Sequence, residues 1–251
     1  MTETHTPSPE SPLYGGGSDA PTPKAPGLLD QILGVFTEPV ALFQKLRTAP
    51  SWVPAVLAFC VLGVVVTLAW GMKVDVDAMI RPALERNPQI NSAQIDTIID
   101  MQKKFILPFG LMGAVVVPWI WTLFAGFLYW LVGRGLAEGE APSYSQALTA
   151  SAVPALVGLP HGLLMVVMAL LRPVGGLTPE KLPPTSLGFF IPAENPKAVA
   201  ALFAFDLFAI ATWVLSFLAF RHLLRLKPAG AALATFLLVF FQAGLKILFA
   251  K

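Results

Sequence analysis

WVPAVLAFCVLGVVVTLAWG, residues 52–71, is twenty residues without a charged side chain. At 1.5 Å of rise per residue, a helix of that length covers about 30 Å, the thickness of a bilayer's hydrocarbon core. Outward from it the pattern recurs: 105–133, 147–171, 198–220 and 229–250 are comparable apolar stretches, the last two with isolated polar exceptions. The sequence therefore predicts an all-α, polytopic membrane protein built as a five-helix transmembrane bundle. Composition agrees, with 55% hydrophobic and 13% charged residues, against roughly 45–50% and 25% in soluble domains.

Composition also excludes. A net charge of +2 makes no electrostatic case for a nucleic-acid partner. Cys60 is the sole cysteine and lies within the first span, so an internal disulfide and a paired-cysteine metal site are both ruled out. His5, His161 and His222 are scattered without ligand spacing, and neither a metal nor a cofactor is expected. HExxH, GxSxG and a Gly-rich phosphate loop are absent, as is a carboxylate pair within a span, so no catalytic residue is assigned and the chain reads as non-enzymatic. Residues 1–27 lack the basic and apolar regions of a secretory signal, which leaves the first span as its own insertion signal.

Those first 27 residues are rich in Pro, Ser, Thr and Gly and predict a disordered tail. The body spans 28–250. It opens with Leu28, Leu29, Ile32, Leu33 and Phe36 at helical spacing. Pro39 then fits the first turn of a second helix, with Thr37 or Glu38 as its cap. Val40, Phe43 and Leu46 make the apolar stripe of that helix, opposite Gln44, Lys45 and Arg47. Two amphipathic helices directly before a span lie in the membrane interface with Lys45 and Arg47 toward headgroups, or pack on the ends of the protein's own helices. Residues 72–104 read as an extramembrane helical hairpin. Ser92 would cap its second arm, and Ile95, Ile98, Ile99 and Met101 would line it. The 172–197 connection has six prolines and little periodicity.

Long and short loops alternate, which puts both short ones beside the N-terminus. Lys and Arg number seven on that side and ten on the other, so charge counting leaves the orientation open. The densest basic patch is Arg221, Arg225 and Lys227 in the last short loop.

Asp206 is the polar residue of most interest. It falls eight residues into the fourth predicted span, about 12 Å deep, where a lipid-facing carboxylate costs at least about 2.5 kcal/mol. It should therefore face the bundle, with His161, Gln242 and Lys246 at compatible depths in neighbouring spans. Such a cluster reads as a structural clamp between helices, with Lys246 snorkelling, or as a proton, cation or solute site. Pro108, Pro118, Pro154 and Pro160 mark kinks in the second and third spans. Small residues such as Gly110, Gly113, Gly126 and Ala231 allow close helix approach, within the chain or in a homo-oligomer.

Several stretches together resemble the Yip1 domain family, in particular its bacterial members. They are Val35-Phe36-Thr37-Glu38-Pro39, Phe43-Gln44-Lys45-Leu46, Ala49-Pro50-Ser51-Trp52-Val53-Pro54, Gly133-Arg134-Gly135-Leu136, Ser143-Tyr144-Ser145-Gln146-Ala147-Leu148 and Phe205-Asp206-Leu207-Phe208 continuing to Trp213. The resemblance covers about residues 33–245. It implies a cytoplasmic N-terminus, a bacterial inner-membrane location and a five-helix bundle. Eukaryotic members are similar to trafficking factors that associate with small GTPases without catalysing a reaction. The tail here carries no recognisable GTPase-facing motif.

The expected function is that of a membrane scaffold or adaptor. Its partners would be the bilayer itself, an unidentified membrane or cytoplasmic protein, and a second copy of the chain. The expected working surface comprises Phe36, Phe43, Leu46, Lys45 and Arg47 with Arg221, Arg225 and Lys227. The rival expectation is a small transporter or channel acting through Asp206 and His161.

Overall fold

Proline and capping side chains decide where these helices start. The computed structural model describes residues 24–250; of the expected tail, residues 1–23 lie outside the described residues, and 24–27 carry no regular structure. Helix α1 spans Leu28–Thr37 and α2 spans Pro39–Thr48, with Pro39 at the first turn and Glu38 at the joint. Pro54 likewise opens α3, Val53–Gly71. Beyond it come α4, Val76–Glu85, and α5, Ser92–Leu136. The cap of α5 is Asn91 rather than Ser92, because Asn91 and Gln94 bond each other's backbone amides at 2.9 Å.

The hairpin arm and the second predicted span are one helix. The 45 residues of α5 extend about 68 Å at helical rise, twice a hydrocarbon core. Its first turns run past the end of α3, where Gly71 lies against Leu107, and pack against α4. Pro108 and Pro118 sit within it without ending it.

The third predicted span is built in three pieces: α6, Tyr144–Ala152, a 3-10 turn at Pro154–Gly158, and α7, Leu159–Leu171. Pro154 and Pro160 withhold backbone donors there, which favours the tighter turn. The loop after α7 holds a short helix α8, Leu187–Phe190. The fourth predicted span does not form as one helix. It divides into α9, Pro196–Ala204, and α10, Leu207–His222, with Phe205 and Asp206 between them. The last stretch is α11, Pro228–Val239, a π-helical segment at Phe240–Gly244 and α12, Leu245–Phe249.

Among the described residues, four helical stretches are long and apolar enough to cross a membrane: Val53–Gly71, Ser92–Leu136, Tyr144–Leu171 and Pro228–Leu248. The 16 residues of α10 reach only about 24 Å. Within those four windows between 17 and 33% of residues are buried in protein, so most of this apolar surface faces outward and requires hydrocarbon around it. The all-helical membrane class follows from that surface.

Packing runs α3 on α5 and α7, α5 on α6, and α10 on the 154–158 turn, α11 and α2. The interior divides into two clusters. The larger gathers Phe43, Leu46, Val56, Leu156, Phe220, Leu223 and Leu226 at the end where α1 and α2 sit. The smaller, of Trp70, Ala169, Val174 and Leu182, closes the opposite end. Loops are sewn to each end by backbone and side-chain bonds. At the first end Ala137 bridges Leu226, Glu138 N donates to Arg225 O at 2.7 Å, and Gln146 Nε2 donates to Arg47 O at 2.7 Å. At the other, Trp70 Nε1 donates to Leu177 O at 2.8 Å and Val74 bridges Gly175.

Candidate functional site

Two polar assemblies stand out, one at each end of α10. At its N-terminus Asp206 is the cap: Oδ1 accepts from Phe208 N at 2.8 Å and Ala209 N at 3.3 Å. The same oxygen lies 3.1 Å from His161 Nδ1 on α7. A carboxylate on that nitrogen favours the Nδ1–H tautomer. Asp206 is thus not a mid-helix charge as its position in the apolar run implied. The chain breaks at Phe205 so that the carboxylate can satisfy two free amides and one imidazole at once, which is cheaper than burying it unpaired.

The rest of the predicted cluster does not assemble. Gln242 instead accepts from Trp213 Nε1 at 2.9 Å, tying α10 to the π-helical segment, and Lys246 is exposed. Two residues that sequence reading passed over are present. Thr185 Oγ1 is 3.4 Å from His161 Nδ1. Ser186 is buried and bridges Asp206 through the backbone. Both belong to the proline-rich 172–197 connection, where no periodicity signals a contact reaching across to the third and fourth stretches. Chemically, the pair of Asp206 and His161 can share one proton, and it clamps α7 against α10.

At the other end, α2, the 137–143 loop and the 221–227 turn form a platform. Arg47 and Arg225 are exposed, Arg221 is half-buried, and Lys45 and Lys227 point outward. Two adjoining concavities share Arg47 and Arg225. One, of about 230 Å³, adds Glu140, Ser143 and Gln146; the other, of about 310 Å³, adds Gln44, Glu138, Arg221 and His222. Arg221 pairs with Glu138 at 3.5 Å and donates to the Leu226 carbonyl. Arg225 is the one described non-glycine residue with positive φ, at 54°.

Two of the predicted partner-surface residues are not on any surface. Phe43 and Leu46 are fully buried, because α2 turns its apolar stripe onto α10 and α6 rather than outward. The exposed apolar row belongs instead to Leu29, Leu33, Phe36 and Val40. Of the predicted set, Phe36, Lys45, Arg47, Arg225 and Lys227 remain accessible.

The Yip1 domain model matches residues 33–249, nearly the whole described chain. The chain belongs to the Yip1 domain family. No curated protein and no solved structure matches it. The Yip1 family is associated with membrane trafficking and is not known for enzymatic activity. This Yip1 domain, with its long apolar helices, is that of an integral, multi-pass membrane protein. Both polar assemblies lie inside the matched range.

Proposed function

We propose that this Yip1 family protein is a non-catalytic membrane scaffold or adaptor whose working face is the platform end. The N-terminus is cytoplasmic in this reading, and the membrane is a bacterial inner membrane. The observation that carries it is the construction of that end. Its backbone polar groups and large apolar side chains are spent internally, while Lys45, Arg47, Arg225, Lys227 and the row Leu29, Leu33, Phe36 and Val40 are left exposed. A rigid base with charged heads and an apolar row beside it suits binding of another protein at the membrane surface. The partner is a membrane or cytoplasmic protein, with a second copy of the chain as a further candidate.

The transport reading has less support. Oδ1 of Asp206 is occupied as a helix cap, and Gln242 and Lys246 stand apart from the carboxylate.

In-cell photo-crosslinking tests the proposal from probes at Phe36 and Gln44, which are exposed. A defined protein captured at both sites and lost on Leu33→Glu supports it. Capture of lipid alone at both sites counts against it and moves attention to flux assays with Asp206→Asn as the control.

A further inference from the structure

We propose that the paired concavities around Arg47 and Arg225 bind the phosphate headgroup of an anionic membrane lipid. The inference deepens the proposed working face and rests on that reading of the platform.

Three arginines line the concavities: Arg47 at the end of α2 and Arg225 in the turn after α10 line both, and Arg221 in the last turn of α10 lines the second. Arg221 is engaged with Glu138 and the Leu226 carbonyl, whereas Arg47 and Arg225 form no ion pair among the described residues. Glu138 and Glu140 also line the site, Glu138 paired with Arg221, which leaves three arginines against two carboxylates. Guanidinium forks match the geometry of phosphate oxygens.

Backbone geometry supplies an independent sign. Arg225 holds φ at 54°, the left-handed region that Gly or Asn occupies at lower cost. Its carbonyl is pinned by Glu138 N at 2.7 Å, and the turn is held by Leu226 N donating to Phe220 O at 2.9 Å. A long cationic side chain kept on a strained backbone position points to a function for that side chain.

Location selects lipid over a soluble anion. The apolar helices stop at this level: α5 ends at Leu136, α10 at His222, and α11 starts at Pro228. The exposed apolar face of α1 lies at the same end. That is headgroup depth, where lipid phosphates are abundant and basic pockets at helix ends bind them.

The test uses the full chain purified in a neutral detergent, titrated with short-chain phosphatidic acid and followed by thermal unfolding and by calorimetry. Short-chain phosphatidylcholine and inorganic phosphate serve as the other arms. The expected result is saturable binding of phosphatidic acid, with little response to phosphatidylcholine or free phosphate. Arg225→Asn and Arg47→Gln should each weaken it at least about tenfold, as loss of one charge-assisted bond implies. Arg225→Asn should also leave the ligand-free protein as heat-stable as the wild type or more so, since Asn tolerates that backbone. Equal binding of phosphatidylcholine, undiminished binding by both variants, or tighter binding of inorganic phosphate than of the lipid would each overturn the proposal. Crosslinking of a protein partner at Phe36 that persists in Arg225→Asn, alongside absent lipid binding, would sink this inference and leave the scaffold reading intact.

Discussion

Replacing Asp206 by alanine removes the acceptor for the Phe208 and Ala209 amides and the partner of His161. Loss of such a cap costs about 1 kcal/mol, within a range of about 0.5–2. Asparagine keeps a capping oxygen, so Asp206→Asn should unfold within about 0.5 kcal/mol of the wild type while Asp206→Ala falls clearly below both. Denaturant titration in detergent measures the difference. Phe43 makes a second contrast at this scale. It is fully buried against α10, whereas Phe36 on the neighbouring helix is half exposed. Phe43→Ala should cost about 3–5 kcal/mol and Phe36→Ala about 0.5 or less. Loss of partner binding in a Phe43 variant would therefore report misfolding, and only substitutions such as those at Leu33 or Phe36 can report on an interface.

Among the elements, the α4–α5 hairpin is locked by charge. Arg81 holds Asp77 at 2.6 Å and Asp96 at 2.8 Å. The hydrogen bond from Arg81 keeps the Asp77 carboxyl below the usual carboxylate range, and the carboxylates keep the guanidinium protonated. A carboxylate with depressed folded pKa stabilises above its unfolded value and loses that contribution as pH falls through the folded one. Hydrogen exchange over residues 76–104, corrected for intrinsic rate, should stay constant from pH 7 to 5. It should rise only in acid below the ordinary Asp value of 3.8. Protection that fades already near pH 6 would contradict the lock. Helix contacts offer another check. A Cβ on Gly126 of α5 would meet Leu148 Cδ2 at 2.6 Å and its Cα at 3.2 Å, whereas one on Gly113 meets nothing within 4 Å. Gly113→Ala should be neutral or stabilise by about 0.5–1 kcal/mol through helix propensity. Gly126→Ala should lower the unfolding temperature by forcing α5 and α6 apart.

For the molecule as a whole, the interior is two clusters at opposite ends joined by lipid-facing helices. Phe43 belongs to one and Leu182 to the other, and both are fully buried. Distant sites without shared partners add, so Phe43→Ala with Leu182→Ala should cost the sum of the single variants within about 0.5 kcal/mol. A double-mutant cycle by denaturant unfolding measures this, and a larger coupling would mean the two ends fold as a tighter unit than their separation implies. The platform and the Asp206 clamp sit at opposite ends of α10, so a change at one should leave the other's chemistry in place.

What the sequence determined by itself was the solvent and the elements. Runs such as 52–71 are too long and too apolar for water, so helix and membrane follow from the cost of unpaired backbone groups in hydrocarbon. Proline at position 39 and the amphipathic spacing of 28–46 likewise marked α1 and α2 before any contact was known. Only the tertiary structure decided which face of each element is inside. Phe43 and Leu46 have the spacing of a docking stripe, yet α10 and α6 cover them, and periodicity cannot say what a stripe will meet. Hydropathy also ran unbroken through 198–220, because one carboxylate barely lowers the average of an apolar window. The break at Phe205 arises from bonds that Asp206 makes to His161, 45 residues away, and to the amides of a new helix. Such pairings are set by where helices pack, which is a property of the assembled bundle and of no local stretch.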